Sequence, residues 1–357
     1  MHAAAPRIAA LVSLFVLACE RGPERAPRTS TPGTTPPTSA TGAAASIEPR
    51  AIAVRREVIA LPGFFAEGLA WDPARAEVLL GGIVDQSIAA VSIGQATPGG
   101  EPRRFAAPDP AWSVFGVDID VERGLVWAAC AAVPQGRALP AELGRAGLFA
   151  FTQGGTPVKA ILTEPDAASH LFGDLEIASD GTVFVTDTLA GGVFAAAPDA
   201  KTLRVVVTPG SFRSIQGLAL FDATTLVVAD YSAGLVRLGL DASGVADSAI
   251  VIERPTAVDL RGIDGIALRG RELAAVQNGA SPPQVLRLTL SDDARKVVAA
   301  EVLLVPDPKD GEPTLATFVG DELWVTQTDR WDRVFDPKGR PRADVEIAAP
   351  VILRIPW

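Results

Sequence analysis

The stretch "DGIALRGRELAAVQNG", Asp264 to Gly279, decides the fold because it contains two short apolar runs joined by a charged turn. The first run alternates through Ile266 and Leu268, and the second ends at Val276. Alternation with a period of two residues predicts half-buried strands, and the short turn between the runs predicts a β-hairpin. A carboxylate at the start of a buried strand needs a physical explanation.

The same pattern occurs six times, and in each copy an opening residue, usually followed by glycine, precedes the first alternation. The opening residues recur about every 50 residues, which is the repeat length of four-stranded propeller blades. The six copies are "EGLAWDPARAEVLLGGI" from Glu67, "FGVDIDVERGLVWAAC" from Phe115, "GDLEIASDGTVFVTDT" from Gly173, "QGLALFDATTLVVADY" from Gln216, "DGIALRGRELAAVQNG" from Asp264 and "TLATFVGDELWVTQTD" from Thr314.

Each copy is followed by a further apolar run that supplies a third strand, such as "GLFAFTQ" after the second copy and "VILRIPW" at the end of the chain. The sixth copy has no sequence left for a fourth strand. The early segment "REVIALPG" (Arg56 to Gly63) can supply it and close the ring, which removes the open edges. The sequence therefore predicts an all-β fold, a six-bladed β-propeller of four-stranded blades around a central channel.

The first 52 residues are not expected to belong to the propeller. Residues 1–19 combine Arg7, an apolar run too short to span a bilayer, and "VLAC", which resembles a bacterial lipobox ending at Cys19. The resemblance implies cleavage before Cys19 and lipidation of its thiol; the alternative is an ordinary secretory signal peptide that contains a cysteine. Residues 20–52 are rich in Pro, Thr and Ala and predict a flexible tether. Residues 53–357 form the predicted propeller.

Charge and cysteine content restrict the partners. The formal net charge of −10 argues against nucleic acid and acidic membrane surfaces as binding partners. If Cys19 carries a lipid, Cys130 has no second cysteine in the chain to pair with, so no disulfide is expected. We expect a monomer that contacts the membrane only through its anchor. Glu20 after Cys19 favours the outer membrane, facing the periplasm, by analogy with enteric sorting rules.

The opening residues are expected to form a ring at one end of the channel, because the innermost strand of each blade lines the propeller axis. Two carboxylates in such a narrow ring, those of Glu67 and Asp264, repel each other unless a cation lies between them. Together with the amide of Gln216 they offer oxygen ligands, which suit Ca²⁺ first, with Mg²⁺, Mn²⁺ or Zn²⁺ as alternatives. The other interpretation is a set of polar side chains solvated by channel water.

The copies "EGLAWDP", "QGLAL…VADY" and "IDGIAL" resemble the senescence marker protein/gluconolactonase/luciferin-regenerating-enzyme family of six-bladed propellers. The resemblance extends over the whole predicted propeller. It implies that Glu67, Gln216 and Asp264 bind one catalytic divalent metal and that Asp264 is the general base. The copy "HLFGDLEIASDGTVFVTD" is similar to an Asn-Asp motif of this family and of paraoxonase-like propellers, with Gly173 in the place of the Asn.

Two departures from the family pattern affect this site. Gln216 keeps the amide oxygen of the family's Asn but has an extra methylene, and Gly173 offers no side chain. Asp174 is a candidate ligand of a second, structural ion. His170 is either a substrate contact or proton shuttle, or a loop histidine that contacts backbone or solvent. Glu312 is either a residue of the channel rim or a solvated loop acid.

The resemblance implies hydrolysis of an ester, and of a lactone in particular. Together with the N-terminal signal and lipobox-like sequence, it predicts an exported, lipid-anchored enzyme. In this reaction a metal polarises the substrate carbonyl and Asp264 accepts a proton from water. The alternative function is a non-catalytic propeller that binds a small ligand or a cell-envelope protein. For "QNG" (Gln277 to Gly279) we expect a turn or a hydrogen bond at the blade edge rather than a role in the site.

Overall fold

The computed structural model describes residues 52–93, 101–164 and 168–357. The predicted signal peptide and lipidation at Cys19 lie outside these residues, as does the predicted tether up to residue 51, and all stay predictions. Within the described ranges, no helix combines the length and the hydropathy of a membrane span.

The regular secondary structure of the described residues is almost entirely β-strand. The strands in chain order are β1 (Arg55–Val58), β2 (Ala66–Asp72), β3 (Glu77–Gly82), β4 (Ile88–Ser92), β5 (Arg103–Ala106), β6 (Ser113–Asp120), β7 (Leu125–Ala131), β8 (Ala146–Thr152), β9 (Pro157–Leu162), β10 (Phe172–Ile177), β11 (Val183–Asp187), β12 (Gly192–Ala196), β13 (Arg204–Val207), β14 (Ile215–Asp222), β15 (Thr225–Asp230), β16 (Gly234–Leu240), β17 (Ala246–Val251), β18 (Ile266–Arg269), β19 (Glu272–Gln277), β20 (Gln284–Leu290), β21 (Val297–Leu304), β22 (Glu312–Val319), β23 (Glu322–Thr328) and β24 (Val351–Pro356). A short 3₁₀ turn covers Pro308–Asp310, and a single α-helical turn, α1, covers Trp331–Val334.

These strands form six four-stranded antiparallel sheets, which confirms the predicted six-bladed propeller. Blades 1 to 5 are β2–β5, β6–β9, β10–β13, β14–β17 and β18–β21, each in chain order from the inside outward. Blade 6 has the order β22-β23-β24-β1, so the N-terminal strand supplies its outermost member. The residue pairs of β1 and β24 run from Arg55–Arg354 to Val58–Val351, and this pairing closes the ring as predicted.

The first strands of the blades are packed side by side around the axis. The glycine after an opening residue makes this possible, because a side chain there would collide with the next blade. A Cβ atom on Gly217 would lie 2.7 Å from the carbonyl oxygen of Asp264, and one on Gly265 would lie 2.4 Å from that of Thr314. The repeated glycine therefore sets how closely neighbouring blades meet.

Apolar side chains fill the spaces between blades. Phe184 and Val193 of blade 3, for example, share one buried cluster with Leu226 and Val228 of blade 4. The segment between β23 and β24 adds an aromatic cluster: the ring of Phe65 packs edge-on against Trp331 and Phe335, with centroids 5.0 Å apart in both pairs. This contact fixes Phe65, which directly precedes β2 and lies two residues before Glu67.

Candidate functional site

The structure places the opening residues Glu67, Gln216 and Asp264 on or next to the innermost strands of blades 1, 4 and 5. Glu67 lies in β2, Gln216 lies in β14, and Asp264 stands two residues before β18. The backbones of blades 4 and 5 touch here, because the Gly217 amide donates a hydrogen bond to the carbonyl oxygen of Asp264 at 2.8 Å. We call this end of the channel the mouth.

Glu67 is a buried carboxyl whose Oε2 atom has no hydrogen-bond partner among the residues that the structure describes. Its exposed fraction is 8%. Burial raises the pKa of Glu67 well above its ordinary value, and the neighbouring carboxylates of Asp264, Glu312 and Asp174 raise it further. Glu67 and these three acids therefore form a group of four carboxyls at the mouth, and the other three lie within electrostatic reach of Glu67. A cation bound among them would oppose the shift, because it favours the charged form of the carboxyl.

Asp264 has the same kind of environment but with one compensating contact. Burial raises its pKa from the ordinary range to about 7, and Glu312 contributes to the increase. The side-chain amide of Asn278 opposes this shift by donating from Nδ2 to Oδ2 of Asp264 at 2.6 Å. The Tyr231 hydroxyl in turn donates to Oδ1 of Asn278 at 3.2 Å.

Gln216 contributes an amide to the mouth. Its side chain is half-buried, and its Nε2 atom donates to the Ser214 hydroxyl at 3.3 Å. The amide nitrogen is thus engaged within its own blade, which leaves the oxygen as the atom that can face a cation.

Gly173 has no side chain, and two threonine hydroxyl groups lie close to the point where a side chain would begin. A Cβ atom here would meet Oγ1 of Thr188 at 3.0 Å and Oγ1 of Thr186 at 3.3 Å. Thr188 Oγ1 is buried without a hydrogen-bond partner.

Asp174 occupies the position that is glycine after four of the other opening residues. Its carboxylate reaches the next blade, because Oδ2 accepts from the Leu218 amide at 3.4 Å while Oδ1 accepts from the Leu175 amide at 2.9 Å. Burial raises the pKa of Asp174 to about 7, and Asp118 and Asp264 add to the shift. Asp174 thus joins blades 3 and 4 at the mouth; its predicted role at a second ion is not tested.

Two further carboxyls, Asp118 and Glu176, lie on the innermost strands of blades 2 and 3. Each accepts a hydrogen bond from a backbone amide of the next blade, Ile177 for Asp118 and Leu220 for Glu176. Burial is the largest cause that raises their pKa values, to about 7 for Asp118 and well above the ordinary range for Glu176. The repeated geometry indicates a structural role in joining consecutive blades.

His170 forms a buried pair with Asp187. Its Nδ1 atom lies 2.5 Å from Oδ2 of Asp187, and its ring packs edge-on against Phe194. Oδ1 of Asp187 also accepts from the backbone amides of Leu171 and Ala190. The pair therefore fixes the loop that leads into β10, and a role of His170 in substrate contact stays a prediction.

The remaining predicted positions differ in character. Glu312 is the first residue of β22 and half-buried, so it is a strand residue near Glu67 and Asp264 rather than a loop acid. Phe115 packs in an apolar cluster with Phe65. Thr314 is buried, and its Oγ1 atom has no hydrogen-bond partner.

Sequence reasoning missed four polar residues near the axis. The expected turn at "QNG" is present, but the contact of Asn278 with Asp264 was not anticipated. Tyr231 is the only tyrosine of the chain, which was a usable signal. Asp118 and Glu176 stand three residues after their opening residues, where three other copies have alanine.

The residues at the mouth fit a hard divalent cation by their chemistry. The donors are carboxylate and amide oxygens, and one of them, Glu67 Oε2, is buried without a partner. In residues 52–93, 101–164 and 168–357, no three His, Cys, Asp or Glu side chains are already arranged as a metal site. The predicted ligands Glu67, Gln216 and Asp264 include only two side chains of these four types. They therefore could not form a group of three such side chains.

The substitution Asp118→Asn is expected to make the stability of the protein less dependent on pH. A carboxyl with a raised pKa binds its proton more tightly in the folded state. Its stabilising contribution is complete below the unfolded pKa, about pH 4, and is lost as the pH rises through about 7. The wild-type protein should therefore lose up to about 1.4 kcal/mol per pH unit from this residue in that window, and the Asn variant should not.

Urea denaturation across this pH range, with chelator present, measures the difference. Asp292→Asn removes a highly exposed carboxylate and is the matched control. Equal pH slopes for wild type and Asp118→Asn would contradict the assignment.

Comparison with known proteins supports the fold. No protein-family profile matches the sequence, and no protein of curated function matches it by sequence. Solved structures do match, although their identities are low. A gluconolactonase from Xanthomonas campestris is 16% identical with a TM-score of 0.55, over 85% of this chain and 90% of that one.

Two other structures are similar to the same extent. A calcium-binding regucalcin from Agrobacterium tumefaciens C58 is 16% identical with a TM-score of 0.58, over 87% of this chain and 97% of that one. A luciferin-regenerating enzyme is 15% identical with a TM-score of 0.58, over 85% of this chain and 98% of that one. At these identities the likeness establishes the fold: the chain shares the six-bladed propeller of these proteins, as the sequence resemblance predicted.

Proposed function

We propose that this protein is a metal-dependent hydrolase of the lactonase or esterase kind. The observation that carries the proposal is the buried, unpartnered Oε2 atom of Glu67, which lies within electrostatic reach of Asp264 at the mouth. Two carboxyls held in this way are unfavourable unless they are protonated or share a cation. A hydrolase that uses a bound cation explains why both acids are present.

Glu67, Gln216 and Asp264 would hold the metal. Their donors are all oxygen atoms, so Ca²⁺ is the first candidate, with Mg²⁺, Mn²⁺ and Zn²⁺ as alternatives. Three protein ligands leave coordination positions for water and substrate. When bound, such a cation polarises an ester carbonyl and stabilises negative charge on its oxygen.

Asp264 would act as the general base. Its carboxylate accepts a proton from a water molecule while the water oxygen forms a bond to the carbonyl carbon of the lactone. The ring C–O bond then breaks, and the proton passes to the leaving oxygen, which gives a hydroxy acid. The hydrogen bond from Asn278 keeps one carboxylate oxygen of Asp264 in place. Because a cation bound to this carboxylate lowers its pKa, proximity to the attacking water would be the main contribution of the base.

Gly173 in blade 3 and Gln216 in blade 4 differ from the family pattern, but neither difference removes an acidic residue of the site. Gln216 retains an amide oxygen, and the Thr188 hydroxyl stands beside Gly173, where the family has an Asn. A hydroxyl can donate to or accept from a substrate hydroxyl or a water molecule.

The structural neighbours are consistent with this function. They include a gluconolactonase and a calcium-binding regucalcin. Because one fold can support several unrelated functions, the fold alone does not choose among them. The acids at the mouth, rather than the neighbours, favour the hydrolase.

A second candidate is a non-catalytic propeller that binds a small ligand or a cell-envelope protein at the mouth. Gly173 favours it, because a side chain that the related enzymes use is missing here. Hydrolysis and cation binding, measured together, separate the two candidates.

We further propose that the protein is exported and anchored by a lipid on Cys19, in the outer membrane facing the periplasm. The proposal is supported by the apolar run and "VLAC" at the N-terminus. Replacement Cys19→Ser should move the protein from the membrane fraction to the soluble fraction after cell lysis. An unchanged distribution would contradict the anchor.

Titration calorimetry of Ca²⁺, Mg²⁺, Mn²⁺ and Zn²⁺ into the chelator-treated protein tests the function, together with hydrolysis of a panel of lactones and aryl esters. We expect one site, and both Glu67→Gln and Asp264→Asn should weaken it at least tenfold because each removes a charged ligand. Asp264→Asn should also lower kcat by about 10²- to 10⁴-fold through loss of the base.

Asp222→Asn, the same chemical change at the outer end of β14, is the matched control and should alter neither property. Absence of cation binding would refute the hydrolase. Cation binding without hydrolysis of any substrate would favour the ligand-binding propeller.

A further inference from the structure

The loops around Asp264 are joined by hydrogen bonds, and a general base does not by itself require such a network. Three backbone segments meet here: the loop after β15, the loop before β18 and the loop after β19. The Gly262 amide donates to the Tyr231 carbonyl at 2.7 Å, and the Gly279 amide donates to the Gly262 carbonyl at 3.1 Å. Backbone hydrogen bonds therefore fix Tyr231 and Asn278 relative to each other across blades 4 and 5.

Glycine is required at two points of this structure. Gly262 has a φ of +76°, a left-handed conformation that favours glycine. A Cβ atom on Gly279 would lie 2.3 Å from the Tyr231 hydroxyl oxygen. The close packing of the tyrosine against Gly279 brings its hydroxyl to Asn278.

The orientation of the Asn278 amide follows from its two partners. The Tyr231 hydroxyl donates to Oδ1 of Asn278, and Nδ2 of Asn278 donates to Oδ2 of Asp264. A reversed amide would turn its oxygen toward a carboxylate, which is unfavourable. The chain Tyr231–Asn278–Asp264 therefore has one consistent direction of donation.

We propose that Asn278 and Tyr231 are positioning residues of the site: Asn278 holds Oδ2 of Asp264, and Tyr231 holds Asn278, so that Oδ1 of Asp264 serves the cation and the proton transfer. This inference rests on the proposed function. Partners that orient a ligand in this way commonly change metal affinity or activity by 10- to 100-fold when they are lost. Neither residue contacts the cation in this arrangement.

The arrangement predicts a specific relation between the two residues. Asn278→Leu, which keeps the approximate size but removes the donor, should weaken Ca²⁺ binding about 10- to 100-fold. Tyr231→Phe removes a single neutral hydrogen bond and should weaken it about 5-fold. Since Tyr231 acts through Asn278, Tyr231→Phe should have no further effect when Asn278 is already Leu, whereas independent structural effects would add.

Titration calorimetry of Ca²⁺ into the full chain and its single and double variants tests this relation, with thermal unfolding to confirm that each variant is folded. Gln284→Leu is the matched control, because it removes an amide that donates to Gln277 at 2.5 Å in the same blade without contacting Asp264. Affinity within about twofold of wild type for Asn278→Leu, or additive effects in the double variant, would overturn the proposal.

Crystal structures of the cation-free wild type, Tyr231→Phe and Asn278→Leu provide a second readout. The proposal predicts that the Asp264 side chain keeps one rotamer in the wild type and adopts another, or several, in Asn278→Leu. If the wild type binds no cation, the proposed hydrolase fails, and these structures still decide the positioning role. An unchanged Asp264 rotamer in Asn278→Leu would overturn it.

Discussion

The close approach of the innermost strands is the constraint on which the rest of the structure depends. At the boundary of blades 4 and 5 the Gly217 amide bonds to the carbonyl oxygen of Asp264, and no side chain fits between them. The same restriction applies at Gly116 and Gly265, and at Gly68 a Cβ atom would lie 3.2 Å from the carbonyl oxygen of Phe115, which is a tight contact. Because these glycines bring the backbones together, the residue that precedes each of them is held at the channel mouth. The chemistry of the mouth is thus a direct consequence of blade packing.

The same packing concentrates negative charge. Glu67 and Asp264 lie within electrostatic reach of each other at the mouth. Asp118, Asp174 and Glu176 accept hydrogen bonds from backbone amides of the next blade. The two groups of acids differ in their hydrogen-bond donors. Those that join blades have backbone donors, and raised pKa values allow them to be neutral near physiological pH. Within the described part of the chain, one carboxyl oxygen of Glu67 has no hydrogen-bond donor, which is the feature that a cation would explain.

The repeating parts of the fold could be predicted from the sequence, and the contacts between blades could not. Alternating apolar residues revealed six hairpins because strand periodicity is a local property, and the closing segment at Arg56 could be inferred because the sixth copy lacked a strand. The partner of Asp264 was missed because Asn278 lies in a sequence typical of turns. Its contact depends on how three loops meet, and only the structure shows that arrangement.

The most direct measurement of the central claim is anomalous diffraction from crystals of the protein soaked in Mn²⁺, which can replace Ca²⁺ at oxygen sites. The account predicts one strong peak at the mouth, within bonding distance of oxygen atoms of Glu67, Gln216 and Asp264. A crystal with no peak there, or with a peak only at distant surface acids, would contradict the claim that the mouth of this propeller is a metal centre.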